Sequence, residues 1–149
     1  MRRSNKFGNW QQGDTVILTC SQCHRPLSTV LRVEREDDAR TAAIEWQDNM
    51  VTIRKGVAHL SSTSIQLGNP KLEFTPQVWL NPEDLADRVR NIDDYSRLNG
   101  CCGLDGCDGP NQVCVGCGNE VGTLQSDCWT STQFIVEPSG VDWHPATTE

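Results

Sequence analysis

Apolar residues in this chain come in short alternating or β-branched runs separated by polar turns, the pattern of a strand-rich protein. Residues 15–19 form a β-branched run that leads straight into Cys20-Ser21-Gln22-Cys23. Across 27–35, Leu27, Thr29, Leu31 and Val33 alternate onto one face, and the acidic run 34–38 reads as a solvated loop. Segments 42–46 and 50–54 flank Gln47-Asp48-Asn49 as the arms of a hairpin, and Lys55-Gly56 turns the chain into a further strand at 57–61. Together these predict a meander. Pro70, Pro76 and Pro82 make 68–82 either an edge strand interrupted by turns or an ordered loop. One helix is predicted after Asn81. Asn81 can cap it, Pro82 suits its first turn, Glu83 and Asp84 suit its N-terminal dipole, and Leu85, Val89 and Ile92 form its apolar stripe. Short strands are expected again at 112–115 and 133–137. The expected fold is mainly β with one helix, its antiparallel sheets pinned by zinc held in sets of four cysteines. It forms one domain over 14–144, with tails at 1–13 and 145–149.

A length of 149 residues suits one compact domain, but eight cysteines in so short a chain call for a covalent or metallic explanation. Arg2, Arg3 and Lys6 give the N-terminus the charge of an export signal without the apolar stretch that must follow. No run approaches the roughly 20 apolar residues that span a bilayer. The expected location is therefore the reducing cytoplasm, where closely spaced thiols serve as metal ligands or redox centres more often than as disulfides. A formal charge of −7 would become about −11 with two tetrathiolate zinc sites. Such a surface repels phosphate backbones, which disfavours nucleic acid and leaves a protein partner open.

Cys20-x-x-Cys23 and Cys114-x-x-Cys117 each offer two sulfurs from one tight turn, and two such knuckles complete a tetrahedron around zinc. Cys101, Cys102, Cys107 and Cys128 remain, enough for a second tetrathiolate site, and three of them sit in a loop with little apolar material of its own. Adjacent cysteines need not reach the same ion, so His24 or a carboxylate could replace one, or Cys128 could stay a free thiol. Cys20-Ser21-Gln22-Cys23-His24 also fits a haem-attachment pattern, which belongs to exported or organellar proteins. Asp105 and Asp108 read as turn residues. Of the five tryptophans, Trp10, Trp46, Trp79, Trp129 and Trp143, Trp46 is expected in the core, and Trp129, next to Cys128, at a metal-ordered edge.

The segment Cys20-Ser21-Gln22-Cys23-His24-Arg25-Pro26-Leu27 resembles the first knuckle of methionine-R-sulfoxide reductases. Cys114-Val115-Gly116-Cys117-Gly118-Asn119-Glu120-Val121-Gly122 is similar to the second knuckle of those enzymes, of Yippee proteins and of the thalidomide-binding domain of cereblon. The resemblance implies a β-tent, two antiparallel sheets pinned by one zinc with four cysteine ligands, or a zinc-ribbon-like fold, since zinc ribbons share such knuckles. In place of the reductases' histidine-rich stretch this chain has Gly122-Thr123-Leu124-Gln125-Ser126-Asp127-Cys128-Trp129, and Asp127 should raise the pKa of Cys128. The expected function is a non-catalytic zinc-binding module that engages a protein through an acidic, tryptophan-bearing surface, including the immunity or inhibitor type that covers a basic site. Two alternatives stand beside it: a thiol reductase or redox sensor using Cys128 or the Cys101/Cys102 pair, and a small-ligand receptor with an aromatic cage.

Overall fold

The computed structural model describes residues 9–45, 47–62 and 76–146. Among the described residues nine strands form one mixed sheet: β1 (Thr15–Cys20), β2 (Leu31–Arg35), β3 (Val57–Ser61), β4 (Gln77–Leu80), β5 (Val89–Asn91), β6 (Gln112–Cys114), β7 (Glu120–Gln125), β8 (Gln133–Val136) and β9 (Val141–Pro145). Their order across the sheet is β5-β6-β7-β8-β4-β3-β2-β1-β9. The runs at 15–19, 57–61, 112–115 and 133–137 are strands, as the alternation requires, but the sheet is not wholly antiparallel, because β2 and β3 pair in parallel.

That parallel pair replaces the expected meander. Among the described residues of 42–54 no hairpin forms. Asn49 N–H donates to the Thr130 carbonyl at 2.7 Å, Thr132 N–H donates to Met50 at 2.8 Å, and Val51 makes a parallel bridge to Thr132. The segment is a crossover, and it returns the chain to start β3 beside β2 in the same direction.

The predicted helix is also absent. Asn81 does cap, accepting the Glu83 N–H at 2.9 Å, yet only two 3₁₀ turns follow, Pro82–Asp84 and Ala86–Arg88. Ala86 at φ 43 breaks the spiral, and Val89–Asn91 pairs with β6. Leu85 is fully buried after one turn, so the apolar side chain that would have anchored a helix anchors a corner instead. Asp84 is drawn inward as well, accepting from Thr29 Oγ1 at 2.9 Å and from Gly56 N–H at 2.7 Å. No helix among the described residues is long and apolar enough to cross a membrane.

Cross-strand register gives the two faces different characters. Leu124, Phe134, Leu80 and Ala58 form one row, and the main core lies on that side, with Val16, Leu18, Leu27 and Trp143. Thr123, Ile135, Trp79 and His59 form the opposite row. Ile53 and Ile44 cover part of this second face, and the loop at Gly106 lies against Thr123 and Gln125.

Residues 9–13 and 145–146, expected in the tails, join this body. The Trp10 carbonyl accepts from Arg35 at 2.7 Å, Gln12 Oε1 accepts the Arg35 N–H at 2.7 Å, and Ala146 N–H donates to Thr15 at 2.9 Å.

Candidate metal centres

The two C-x-x-C turns stand at the ends of β6 and β1, second and eighth in the strand order. In a flat sheet, with strands about 4.8 Å apart, those positions would lie about 29 Å from each other. Instead, the Sγ atoms of Cys20, Cys23, Cys114 and Cys117 all lie within 4.8 Å of one another. The sheet therefore coils until its two ends meet at the sulfurs. Cys20 and Cys117 approach to 3.5 Å, Cys23 and Cys114 to 3.7 Å. A disulfide needs about 2.05 Å, whereas a tetrahedral ion bonded to four sulfurs at about 2.3 Å sets them about 3.8 Å apart. The cluster has the spacing of a metal site, and all eight cysteines are free thiols.

Both knuckles use the same backbone scaffold. His24 N–H donates to the Cys20 carbonyl at 2.9 Å and Cys20 N–H to Arg25 at 2.9 Å; Gly118 N–H donates to Cys114 at 2.8 Å and Cys114 N–H to Asn119 at 2.8 Å. The residue four after the first cysteine is left-handed in each, His24 at φ 65 and Gly118 at φ 81. His24 is thus a turn residue beside the cluster and no member of it. The Arg25 guanidinium lies over Gly116 of the other knuckle, bringing positive charge to a thiolate-rich site.

Electrostatics also favour a cation. Burial opposes the Cys20 thiolate, but the backbone amides of Cys23 and Gln22, the Cys117 thiol and the Asn119 side chain outweigh it and bring the thiol down to about 6. At Cys117 the Asn119 amide pulls the other way, yet burial and the three neighbouring thiols push the group up to about 12. One thiolate forms readily and the last resists, so full ionisation calls for a positive ion among them.

Asn119 and Gly140 lock the sheet ends together. Asn119 Nδ2 lies 3.6 Å from Cys20 Sγ and 3.1 Å from the Gly140 carbonyl, which also accepts Ser21 N–H at 3.0 Å. Beside the cluster, an open cleft of about 650 Å³ is lined by Gln22, Asn119, Glu120 and Arg97. The Arg97 guanidinium there is committed to Glu120 at 2.9 Å and to the Pro110 carbonyl at 3.0 Å.

The other four cysteines divide three to one. Sγ atoms of Cys101, Cys102 and Cys128 lie within 4.8 Å of one another and could hold an ion. Cys107 is outside this group: its N–H donates to Asp105 Oδ1 at 2.9 Å, its thiol lies 3.9 Å from the Asp105 carbonyl, and burial with the Asp105 charge pushes it up to about 11. The organiser of the group is Asp127. Fully buried, its carboxylate accepts the backbone N–H groups of Cys101 and Cys102 at 2.8 Å each and of Cys128 at 2.7 Å. These three bonds hold its charged form well below the usual carboxylate range. Hydrogen bonding with Cys102, burial and Asp127 push the Cys128 thiol up to about 12. The loop at 100–109, which has little apolar material of its own, is tied down by Asp127 and by Ser126, which exchanges bonds with Leu104 at 2.8 and 3.2 Å. An aspartate directly before a cysteine was the only sequence signal of this role.

Comparison with protein families, with curated proteins and with solved structures finds no match for this chain.

Proposed function

We propose that this protein is a non-catalytic zinc-binding module that docks another protein through the apolar face around Trp129. One observation carries the reading. Six large apolar side chains are exposed among the described residues, and three of them, Met50, Val51 and Trp129, lie on two segments bonded to each other through Asn49, Met50, Thr130 and Thr132. Exposed apolar side chains on two segments bonded to each other, in a chain of net charge −7, suit a partner with an apolar pocket and a basic rim. An enzyme whose basic site is covered by an acidic inhibitor or immunity protein has that chemistry. Zinc is the ion assigned to the four-sulfur cluster, in a reducing compartment. The coiling of the sheet onto that cluster supports a β-tent.

The thiol-reductase alternative, through Cys128 or the Cys101/Cys102 pair, is favoured less, because all three thiols converge as metal ligands would and Cys102, burial and Asp127 push the Cys128 thiol up, away from the reactive thiolate. Nor do the described tryptophans support an aromatic cage. Trp143 and Trp10 belong to one core cluster, Trp79 to the other, and Trp129 stands at the surface; Trp46 lies outside the described residues. The test is quantitative capture from the native extract by the wild type, Trp129→Ser and Met50→Asp, with metal content and circular dichroism as folding controls. A stoichiometric protein partner retained by the wild type and lost by both variants supports the docking face. Equal retention by all three removes it.

A further inference from the structure

We infer that Cys101, Cys102 and Cys128 form a second zinc site of three sulfurs, whose fourth position is left to a neutral donor from outside the chain. This is a different site from the one assumed by counting cysteines, and it stands independently of the partner-binding proposal.

Three features build it. The thiols converge within 4.8 Å of one another although Cys128 is 26 residues from Cys102 in sequence. Their convergence is imposed from behind, because the backbone N–H groups of all three residues end on one buried carboxylate. Asp127 Oδ1 takes Cys102 and Cys128, and Oδ2 takes Cys101. No Asp127 oxygen belongs to the group of atoms that lie within 4.8 Å of one another, so Asp127 is a positioning residue and not the fourth ligand. Nor does Cys107 supply that ligand, since its backbone and thiol are turned to Asp105.

Among the described residues no other His, Cys, Asp or Glu joins these three thiols. Cys101 and Cys102 are exposed and Cys128 is half-buried, so none of the three is fully buried, whereas in the four-sulfur cluster Cys20 and Cys114 are fully buried and only Cys23 and Cys117 reach the surface. Three protein ligands with one position open is the arrangement of an open zinc site, in contrast to the closed structural kind. Charge selects the donor. Three thiols lose three protons as Zn²⁺ binds, leaving a net −1 beside the Asp127 carboxylate, and an anionic fourth ligand would add a further negative charge. Water, or an imidazole nitrogen that displaces it, completes the tetrahedron without that repulsion.

The experiment uses the full reduced chain, saturated with zinc and weighed by native mass spectrometry. Its cobalt-substituted form is then titrated with imidazole. Two ions are expected in the wild type and in Cys107→Ser, and one in Cys102→Ser. Imidazole should shift the cobalt d–d bands of the wild type and leave those of Cys102→Ser unchanged. Asp127→Asn should weaken the second ion about ten-fold while the first is unaffected. A drop to one ion in Cys107→Ser would make the site a closed tetrathiolate and overturn the proposal. A single ion in the wild type, or cobalt bands indifferent to imidazole, would overturn it as well. The wild-type and Cys107→Ser results decide the matter even if Cys102→Ser does not fold.

Discussion

Gly140→Ala is the substitution that tests most directly whether the two ends of the sheet are held together as described. A Cβ at this position would lie 1.9 Å from the Glu120 carbonyl oxygen, 3.0 Å from its carbon and 3.2 Å from the Val121 Cα, all backbone atoms of β7 or its start. No side chain can swing aside. Restoring an ordinary contact requires a displacement of about 1.5 Å, and overpacking of that kind costs about 1–3 kcal/mol. The same displacement stretches the bonds from Ser21 N–H and Asn119 Nδ2 to the Gly140 carbonyl, each contributing about 1 kcal/mol. The expected loss is therefore about 3–5 kcal/mol, with faster release of metal from the adjacent Cys20 cluster. Gly118→Ala is the control. Gly118 has φ +81 but nothing within 4 Å of a Cβ, so only backbone strain of about 1 kcal/mol is expected. Urea unfolding of both variants with metal bound, together with transfer of the ion to a colorimetric chelator, gives the comparison. If Gly140→Ala were no less stable than Gly118→Ala, the closure of the sheet at this point would be wrong.

Three further outcomes follow from the geometry. Cys20→Ser should unfold the whole domain, since a structural zinc site contributes on the order of 10 kcal/mol, comparable with the entire stability of a small domain; Cys107→Ser, outside both clusters, should leave the loop at 100–109 as protected in hydrogen exchange as in the wild type. His24→Gly, which relieves a left-handed non-glycine residue, should raise stability by up to about 1 kcal/mol with metal content unchanged; loss of the ion would instead make His24 a ligand. At the part-buried Glu36–His59 pair, 2.8 Å apart, burial opposes the Glu36 carboxylate but hydrogen bonds from His59 and Ser62 outweigh it and lower its pKa. The stability from that shift is present above the unfolded carboxyl's value and is lost as the pH falls through the depressed one, so the Glu36 carboxyl resonance should titrate below 4.5 in the wild type and rise in His59→Gln.

The strands at 15–19, 57–61, 112–115 and 133–137 were legible because alternation and β-branching act residue by residue. The helix after Asn81 was misread for the converse reason. Its cap forms, but Val89–Asn91 gain more from pairing with β6 than from continuing a spiral broken at Ala86. β9 (Val141–Pro145) escaped notice because its place beside β1 rests on five cross-strand pairs with residues more than 120 positions away.

The cysteines divide along the same line. A C-x-x-C turn is local geometry, so the chain on its own determined that Cys20 with Cys23, and Cys114 with Cys117, would each present two sulfurs to one point. Which of the remaining thiols converge depends on where a buried carboxylate gathers distant amides, and no spacing records that. Only the tertiary structure placed Asp127 behind Cys101, Cys102 and Cys128, turned Cys107 away, and coiled the sheet until its ends met, because those contacts join segments that adopt their positions only after the intervening strands have paired.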